Sequence, residues 1–212
     1  MRIRPNAKLK AAVKIAAALF IAVLIVGWSI LAFLTTNEVG TYDFEKYTAT
    51  RLVAGEEKIG EEGFYGIYFA AEKGKCAEKL EKIDEENKLP FVMLPDKTEE
   101  AVALAEECME EYDAARMFFC AENREVLERL LTETDAVFCL WVCSSSVNAF
   151  FGAKMGYNCA LPIKKATAKT VERAHGKEHL FVATGIKNEE EVNKCKEMKV
   201  DYAFVTSDYR KK

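Results

Sequence analysis

Histidine is scarce in this chain, and several motifs that mark common catalytic folds are missing. Only two histidines occur among 212 residues, and no Gly-x-Gly-x-x-Gly motif follows an apolar run. The second absence removes the main support for a dinucleotide-binding domain, which needs a glycine-rich turn close to the pyrophosphate. No two cysteine pairs have the spacing of zinc ligands, so a zinc module is not indicated either.

The seven cysteines do not form a recognisable disulfide framework. Their number is odd, and several lie in apolar runs, where a free cysteine behaves as a small hydrophobic residue. We therefore predict that they pack in the core rather than bind metal or take part in redox chemistry. They are Cys76, Cys108, Cys120, Cys139, Cys143, Cys159 and Cys195.

The negative charge of the chain is unevenly distributed. The formal net charge is -4, yet residues 1–14 carry five basic side chains and no acidic one, so residues 15–212 sum to -9. A domain this acidic is a poor candidate for binding nucleic acid, because nucleic acid phosphates bind basic surfaces.

A long uncharged run near the N-terminus predicts a transmembrane helix. Residues 15–34 carry no charge, and at about 1.5 Å per residue a helix of this length crosses a hydrocarbon core of about 30 Å. A cleaved signal peptide and a buried core helix are the alternatives. The run is longer than a usual signal sequence, and no clear small-x-small cleavage site follows it.

The charges on either side of this run predict its orientation. Residues 1–14 form a basic tail, whereas Glu38, Asp43 and Glu45 follow the run. By the positive-inside rule, the tail lies in the cytoplasm and the following domain lies outside the plasma membrane. We expect a linker over residues 35–46 and a folded domain over residues 47–212.

From residue 47 onward, apolar strand-like runs alternate with helical patterns. Runs over residues 47–54 and 64–71 form either a hairpin or two neighbouring strands. With the six later runs the number of strands is eight, which predicts a closed α/β barrel of the (β/α)8 TIM type, trimmed of its first and last helices. An open doubly wound sheet is the alternative. The later runs start 20–25 residues apart, near Phe91, Arg116, Ala136, Asn158, His179 and Asp201.

Two of the helical patterns allow predictions about individual residues. Asn188 is followed after three residues by Glu191, a capping-box spacing that predicts the start of a helix. In the helix predicted near residues 146–154, we expect Val147, Phe150 and Phe151 to face the core.

Three stretches of the C-terminal half carry a family resemblance. Residues 170–182 contain a helix that ends in Ala-His, then a glycine before a strand; residues 188–192 begin the next helix; residues 200–208 read Val-Asp-Tyr-Ala-Phe-Val-Thr-Ser-Asp. With these stretches, residues 80–208 resemble the C-terminal three quarters of the glycerophosphodiester phosphodiesterase barrel, a relative of phosphatidylinositol phospholipase C. The resemblance implies a TIM barrel that uses two histidines and a divalent cation, such as Ca2+ or Mg2+, to hydrolyse phosphodiesters.

The groups that this chemistry requires are missing where the resemblance would place them. The family carries a His-Arg-Gly motif and an acidic pair near its first two strands, whereas residues 47–71 contain no histidine and no aspartate. Leu94 lies near the place of a metal-binding glutamate, and residues 184–187 replace a Trp-Thr-Val-Asn motif. Hydrolysis needs a proton donor and, in this family, a metal. We therefore expect a degenerate member of this family that lacks the catalytic motifs of the N-terminal strands and is inactive or impaired.

Polar residues follow several predicted strands, at the barrel end where active sites of this fold lie. Serines that open a helix can offer free N–H groups to an anion, and lysines on the same rim complement phosphate. The alternative is a helix cap with solvated loops. His175 and His179 are separated by the helix-ending Gly176 and lie at the opposite end, so no catalytic or metal-binding residue is predicted. The candidate ligand-binding residues are Lys97, Ser144, Ser145, Ser146, Lys164, Lys187 and Asp208.

Three functions are compatible with the sequence. The first is a membrane-anchored phosphodiesterase-like domain that is inactive or impaired and binds a phosphate-containing ligand or an unknown protein partner. The second is an active metal-dependent phosphodiesterase of lipid metabolism that uses ligands such as Asp96 or Asp208. The third is a structural module that docks another membrane protein.

Overall fold

A computed structural model describes residues 49–210 except Asp135 and Val137. The predicted basic tail, transmembrane helix and linker, over residues 1–46, lie outside the described residues. In the part of the chain that is described, no helix combines the length and the apolar character needed to cross a bilayer.

Eight parallel strands close into a barrel in which each strand pairs with the next and β8 pairs with β1. The prediction of a closed barrel is confirmed, and the open sheet is wrong. A hairpin of the first two strands is also wrong, because β1 and β2 run parallel with Val53 opposite Gly66. The strands are β1 (Arg51–Gly55), β2 (Gly66–Ala70), β3 (Leu89–Met93), β4 (Phe118–Ala121), β5 (Cys139–Val142), β6 (Asn158–Pro162), β7 (Phe181–Ile186) and β8 (Tyr202–Val205).

Helices follow strands β2 to β7 in sequence. The connection after β1 contains only a 3-10 turn, Glu56–Lys58, so the predicted lack of a first α-helix is confirmed. No helix follows β8 within the described residues. The helices are α1 (Cys76–Glu85), α2 (Thr98–Glu111), α3 (Arg124–Glu133), α4 (Ser146–Met155), α5 (Ala168–His175) and α6 (Glu189–Glu197).

The predicted start of α6 is confirmed, with one difference in its cap. The Asn188 side chain accepts a hydrogen bond from the backbone N–H of Glu191 at 3.0 Å, as the spacing predicts. The Glu191 carboxylate does not complete a capping box, because it accepts from the N–H of Lys187 at 2.7 Å, one residue before the cap. A reciprocal box forms instead at α5, between Thr167 and Thr170.

The barrel interior is filled by a cluster of aromatic and aliphatic side chains. Phe91 stacks on Phe118 with ring centroids 4.9 Å apart, and both contact Tyr202 edge-on. All seven cysteines are buried and free, which confirms that they pack in the core. The buried members of the cluster are Val53, Phe91, Phe118, Cys120, Leu140, Ala160, Leu180, Val182, Tyr202 and Phe204.

The orientation expected for α4 is wrong. Val147 is 59% exposed and Phe151 is 37% exposed, whereas the buried residues of the helix are mainly small. Close packing explains the difference: a Cβ added at Gly152 would lie 2.6 Å from the Cys159 sulfur. The side of α4 that faces the barrel therefore carries small residues, and its large apolar side chains lie outside.

Candidate functional site

The candidate ligand-binding residues all follow the carboxyl ends of strands. Lys97 comes after β3, residues 144–146 after β5, Lys164 after β6, Lys187 after β7 and Asp208 after β8. Because the strands are parallel, these positions belong to one end of the barrel, which we call the mouth. This is the end where TIM-type barrels carry their sites.

Two of the candidate lysines lie in solvent. The Lys97 side chain is 84% exposed, and its Nζ is 3.9 Å from Oε2 of Glu100, at the limit of an ion pair. Lys164 is also exposed and forms no ion pair with a described carboxylate. Both are available to a ligand, but neither is held in a fixed position.

The serine run opens α4 and caps it. Ser145 Oγ accepts a hydrogen bond from the N–H of Asn148 at 3.2 Å, so this hydroxyl acts as the N-cap. The carbonyl oxygen of Ser144 accepts from Lys165 Nζ at 2.6 Å, which holds that ammonium group beside the start of the helix. Ser146 lines a groove of about 320 Å³ together with Lys165. Lys165 therefore belongs with the candidate residues, although the list predicted from the sequence omits it.

Lys187 and Asp208 lie close enough to interact electrostatically. The Asp208 carboxylate accepts a hydrogen bond from the Thr206 hydroxyl, which lowers the pKa of Asp208, and the charge of Lys187 lowers it further. Thr206 and Asp208 therefore form a hydrogen-bonded pair in the loop after β8, and Lys187 adds a positive charge from the loop after β7.

The inner wall of the barrel near the mouth is aromatic rather than ionic. The rings of Tyr68 and Phe204 stack with centroids 5.3 Å apart, and Met93 and Val142 pack against the same cluster. The Tyr68 hydroxyl donates to the carbonyl oxygen of Val205 at 3.2 Å. Burial raises the pKa of Tyr68, and the charge of Glu57 adds to this shift, so the phenol stays protonated.

Two carboxylates that follow β1 and β2, those of Glu56 and Glu72, share a lysine from α1. Lys79 Nζ lies 2.8 Å from Glu56 and 3.2 Å from Glu72, and it donates to the carbonyl oxygen of Ala70. Its side chain is only 17% exposed. Sequence reasoning missed this cluster; the available signal was a glutamate just after each strand and a lysine in the next helix.

The described residues do not fit the divalent cation that the phosphodiesterase resemblance implies. No three histidine, cysteine, aspartate or glutamate side chains converge as a metal site in the described part of the chain. Glu56 and Glu72, which follow neighbouring strands, already share the Lys79 ammonium. Hard cations such as Ca2+ and Mg2+ need several oxygen ligands, most of them carboxylates or waters.

The two histidines lie at the end of the barrel opposite the mouth, as predicted. His175 ends α5, and its Nε2 is 2.8 Å from Oδ2 of Asp201. His179 precedes β7 and is buried, and its Nδ1 has no hydrogen-bond partner among the described residues. Burial lowers the pKa of His179.

Comparison of the whole chain with solved structures places this barrel among known folds. A phosphodiesterase from Oleispira antarctica, solved with its product sn-glycerol-3-phosphate, superposes with a TM-score of 0.63 at 10% identity, covering 74% of this chain and 93% of that one. A protein from Galdieria sulphuraria, described as a glycerophosphodiester phosphodiesterase, gives 0.63 at 13% identity, covering 77% and 96%. The chain has a glycerophosphodiester phosphodiesterase-like fold.

At these identities the comparison establishes the fold alone. No protein-family model and no curated protein matches the sequence. An HpcH/HpaI aldolase/citrate lyase family protein from Burkholderia cenocepacia also superposes, with a TM-score of 0.53 at 10% identity and coverage of 85% and 93%. One barrel fold serves several chemistries, so function must be argued from the site.

Proposed function

We propose that this chain is a membrane-anchored, phosphodiesterase-like domain that binds a phosphate-containing ligand at the mouth and does not hydrolyse it. The observation that carries the proposal is the contact of Lys79 with Glu56 and Glu72. An ammonium group between these carboxylates gives the site an internal cation, so Glu56 and Glu72 are not free to bind an external one, and the described residues offer no group of three ligands for it.

The inner wall supports the same conclusion. A hydrolase of this class needs a group that protonates the leaving alkoxide. The side chains that line the barrel interior near the mouth include Tyr68, whose proton is held by burial and by its bond to Val205, together with apolar residues. Both histidines lie at the other end of the barrel and cannot act there.

Phosphate binding is supported by the basic groups on the rim. Lys164 and Lys165 follow β6 and form no ion pair with a described carboxylate, and Lys165 is positioned by its bond to Ser144. An ammonium group of this kind binds a phosphate oxygen as a point charge. The glycerol phosphate bound by the Oleispira antarctica protein is a suitable probe.

The proposal is tested on the full chain reconstituted in lipid nanodiscs. Glycerophosphocholine and glycerophosphoethanolamine are incubated with Ca2+, with Mg2+ and with chelator, and binding of sn-glycerol 3-phosphate is measured by calorimetry. We expect no product whose formation depends on metal and is abolished by chelator. We also expect sn-glycerol 3-phosphate to bind, with an affinity that the Lys164→Glu/Lys165→Glu variant lowers about tenfold or more. The matched control is Lys194→Glu/Lys199→Glu, two exposed lysines on α6 and in the turn between α6 and β8, which do not follow the carboxyl end of a strand.

Each outcome separates the candidate functions. Chelator-sensitive turnover would overturn the non-catalytic proposal and support an active phosphodiesterase. If the chain neither hydrolyses these substrates nor binds sn-glycerol 3-phosphate, the ligand-binding and the hydrolytic functions are both excluded. The docking module is then the remaining candidate, and pull-down from membranes searches for its partner.

A further inference from the structure

The outward sides of α4 and α5 form one surface with an apolar part and a cationic part. On α4, Val147 and Phe151 are the exposed apolar residues. Phe150 joins the two helices, because the guanidinium of Arg173 lies 4.7 Å from its ring centroid and Lys154 Nζ lies at the same distance. We call this surface the α4–α5 face; its residues are Val147, Phe150, Phe151, Lys154, Lys169 and Arg173.

The α4–α5 face is a basic island in an acidic domain. Residues 136–173 contain five basic side chains and a single acidic one, the exposed Glu172 on α5, whereas residues 49–135 contain about twice as many acidic as basic side chains. Within the described part of the chain, Lys154, Lys169 and Arg173 form no ion pair with a carboxylate. Because no ion pair compensates these charges, they create a positive electrostatic potential at the surface beside the exposed apolar side chains.

Exposed large apolar side chains are rare elsewhere on the described surface. Besides Val147 and Phe151, only Tyr65 is a large hydrophobic residue with a high exposed fraction. Tyr65 lies under the guanidinium of Arg51, which is 4.3 Å from its ring centroid. Two large apolar side chains on one short helix lie beside cations that form no ion pair with a described carboxylate. This combination distinguishes the α4–α5 face and marks it as an interaction surface.

We propose that the α4–α5 face docks on the surface of a bilayer that contains anionic phospholipid. Phenylalanine and valine side chains enter the boundary between headgroups and acyl chains, while lysine and arginine remain at the phosphates. Each basic side chain near such a surface adds to the electrostatic attraction, which extends over about a Debye length. The face carries both components side by side.

A lipid surface fits this face better than an acidic protein does. A stable protein interface takes roughly 20–30 residues on each side with close shape complementarity, and the α4–α5 face offers six residues on two short helices. A bilayer needs no such fit. The predicted anchor also favours lipid, because a linker over residues 35–46 spans at most about 40 Å and holds the domain near the membrane. At the resulting high effective concentration, weak docking suffices.

The proposal goes beyond ligand binding at the mouth and is tested with the full chain in nanodiscs. The seven native cysteines are buried, so Val147→Cys is labelled selectively with an environment-sensitive fluorophore. Asn193→Cys, on the exposed side of α6, gives a matched control position. Nanodiscs contain either phosphatidylcholine alone or phosphatidylcholine with phosphatidylglycerol. Unfolding curves confirm that each variant is folded.

In anionic nanodiscs we expect the emission of the probe at position 147 to rise roughly twofold or more and to shift to the blue, because it enters a less polar layer. The probe at position 193 stays unchanged. Lys169→Glu/Arg173→Glu removes the response at position 147, and Lys194→Glu/Lys199→Glu, a reversal of two exposed lysines near α6, keeps it. Salt of about 1 M, where the Debye length is about 3 Å, also removes it.

Three outcomes would overturn the proposal. They are an equal response in neutral and anionic nanodiscs, an equal response at positions 147 and 193, and no effect of the charge reversal. A probe that is silent on lipid but shielded after addition of a membrane-protein extract would show that the face binds protein instead.

Discussion

The imidazole Nε2 of His175 lies 2.8 Å from Oδ2 of Asp201, at the end of the barrel opposite the mouth. The same carboxylate oxygen accepts a hydrogen bond from the backbone N–H of Phe181 at 2.8 Å. Asp201 is 6% exposed, and its carbonyl oxygen accepts from the N–H of Arg51. This single residue therefore connects the end of α5 with the starts of β7, β8 and β1, where the barrel closes.

Replacement of Asp201 tests this connection. Asp201→Ala leaves the N–H of Phe181 buried without its partner and removes the contact of His175, so we expect a loss of about 2–4 kcal/mol in the free energy of unfolding. Urea unfolding followed by circular dichroism measures it. Asp208→Ala, at the exposed mouth, is the matched control and should leave the midpoint unchanged. Equal midpoints for the two variants would contradict the assigned role of Asp201.

His179 makes stability depend on pH. Burial lowers its pKa from the usual value of 6.5, and no described residue hydrogen-bonds its Nδ1. The unfolded chain therefore binds more protons at low pH, and stability is lost as pH falls below 6.5 towards the lower pKa of the folded state. In His179→Leu this part of the dependence is absent. We expect the stability of the variant relative to the wild type to rise as pH falls from 7 to 5.

A control separates His179 from the second histidine. His175→Gln keeps His179 and should show the full loss that burial of His179 causes over the same pH interval. Chemical unfolding at each pH supplies the measurement. If His179→Leu lost more stability than the wild type between pH 7 and 5, the assignment of a neutral, buried imidazole would be wrong.

The barrel could be predicted because parallel strands covered on both sides are apolar throughout. Each strand then stands out as a run, and the helices set the spacing between runs. The orientation of α4 could not be predicted in this way. Val147 and Phe151 follow a helical pattern, but the space beside Cys159 admits only small residues such as Gly152. That limit comes from the packing of another element and is not visible in the sequence of α4.

The composition of the mouth was only partly predictable. Loops after parallel strands must meet at one end, so the positions of Lys164 and Asp208 follow from the topology. Whether their side chains meet depends on the rotation of each loop. The cluster of Lys79 with Glu56 and Glu72 needs the register of β1 and β2 and the direction of α1, and the local sequence specifies neither.

The Lys79 cluster should contribute measurably to stability. Lys79→Met keeps an aliphatic side chain but removes the ammonium that Glu56 and Glu72 share and that lies 5.5 Å from the centroid of the Phe69 ring, so we expect a loss of about 1 kcal/mol. The control is Lys82→Met on the same helix. The Lys82 side chain is 56% exposed, compared with 17% for Lys79, and within the described residues its ion pair is with Glu78. A midpoint shift for Lys82→Met as large as that for Lys79→Met would refute the special role of Lys79.

The cysteines should be unreactive in the folded protein. The thiolate is the form that reacts with aromatic disulfide reagents, and burial raises the pKa of Cys139 and of Cys195 to about 12. Since all seven side chains are buried, we expect no labelling at pH 8 in buffer and seven labels per chain in guanidinium chloride. Between these limits, the labelling rate should rise with denaturant in parallel with the loss of circular dichroism, because each thiol reacts only after the element that covers it opens. Fast labelling of one thiol in buffer would identify an opening smaller than global unfolding, and cysteine substitution one at a time would locate it.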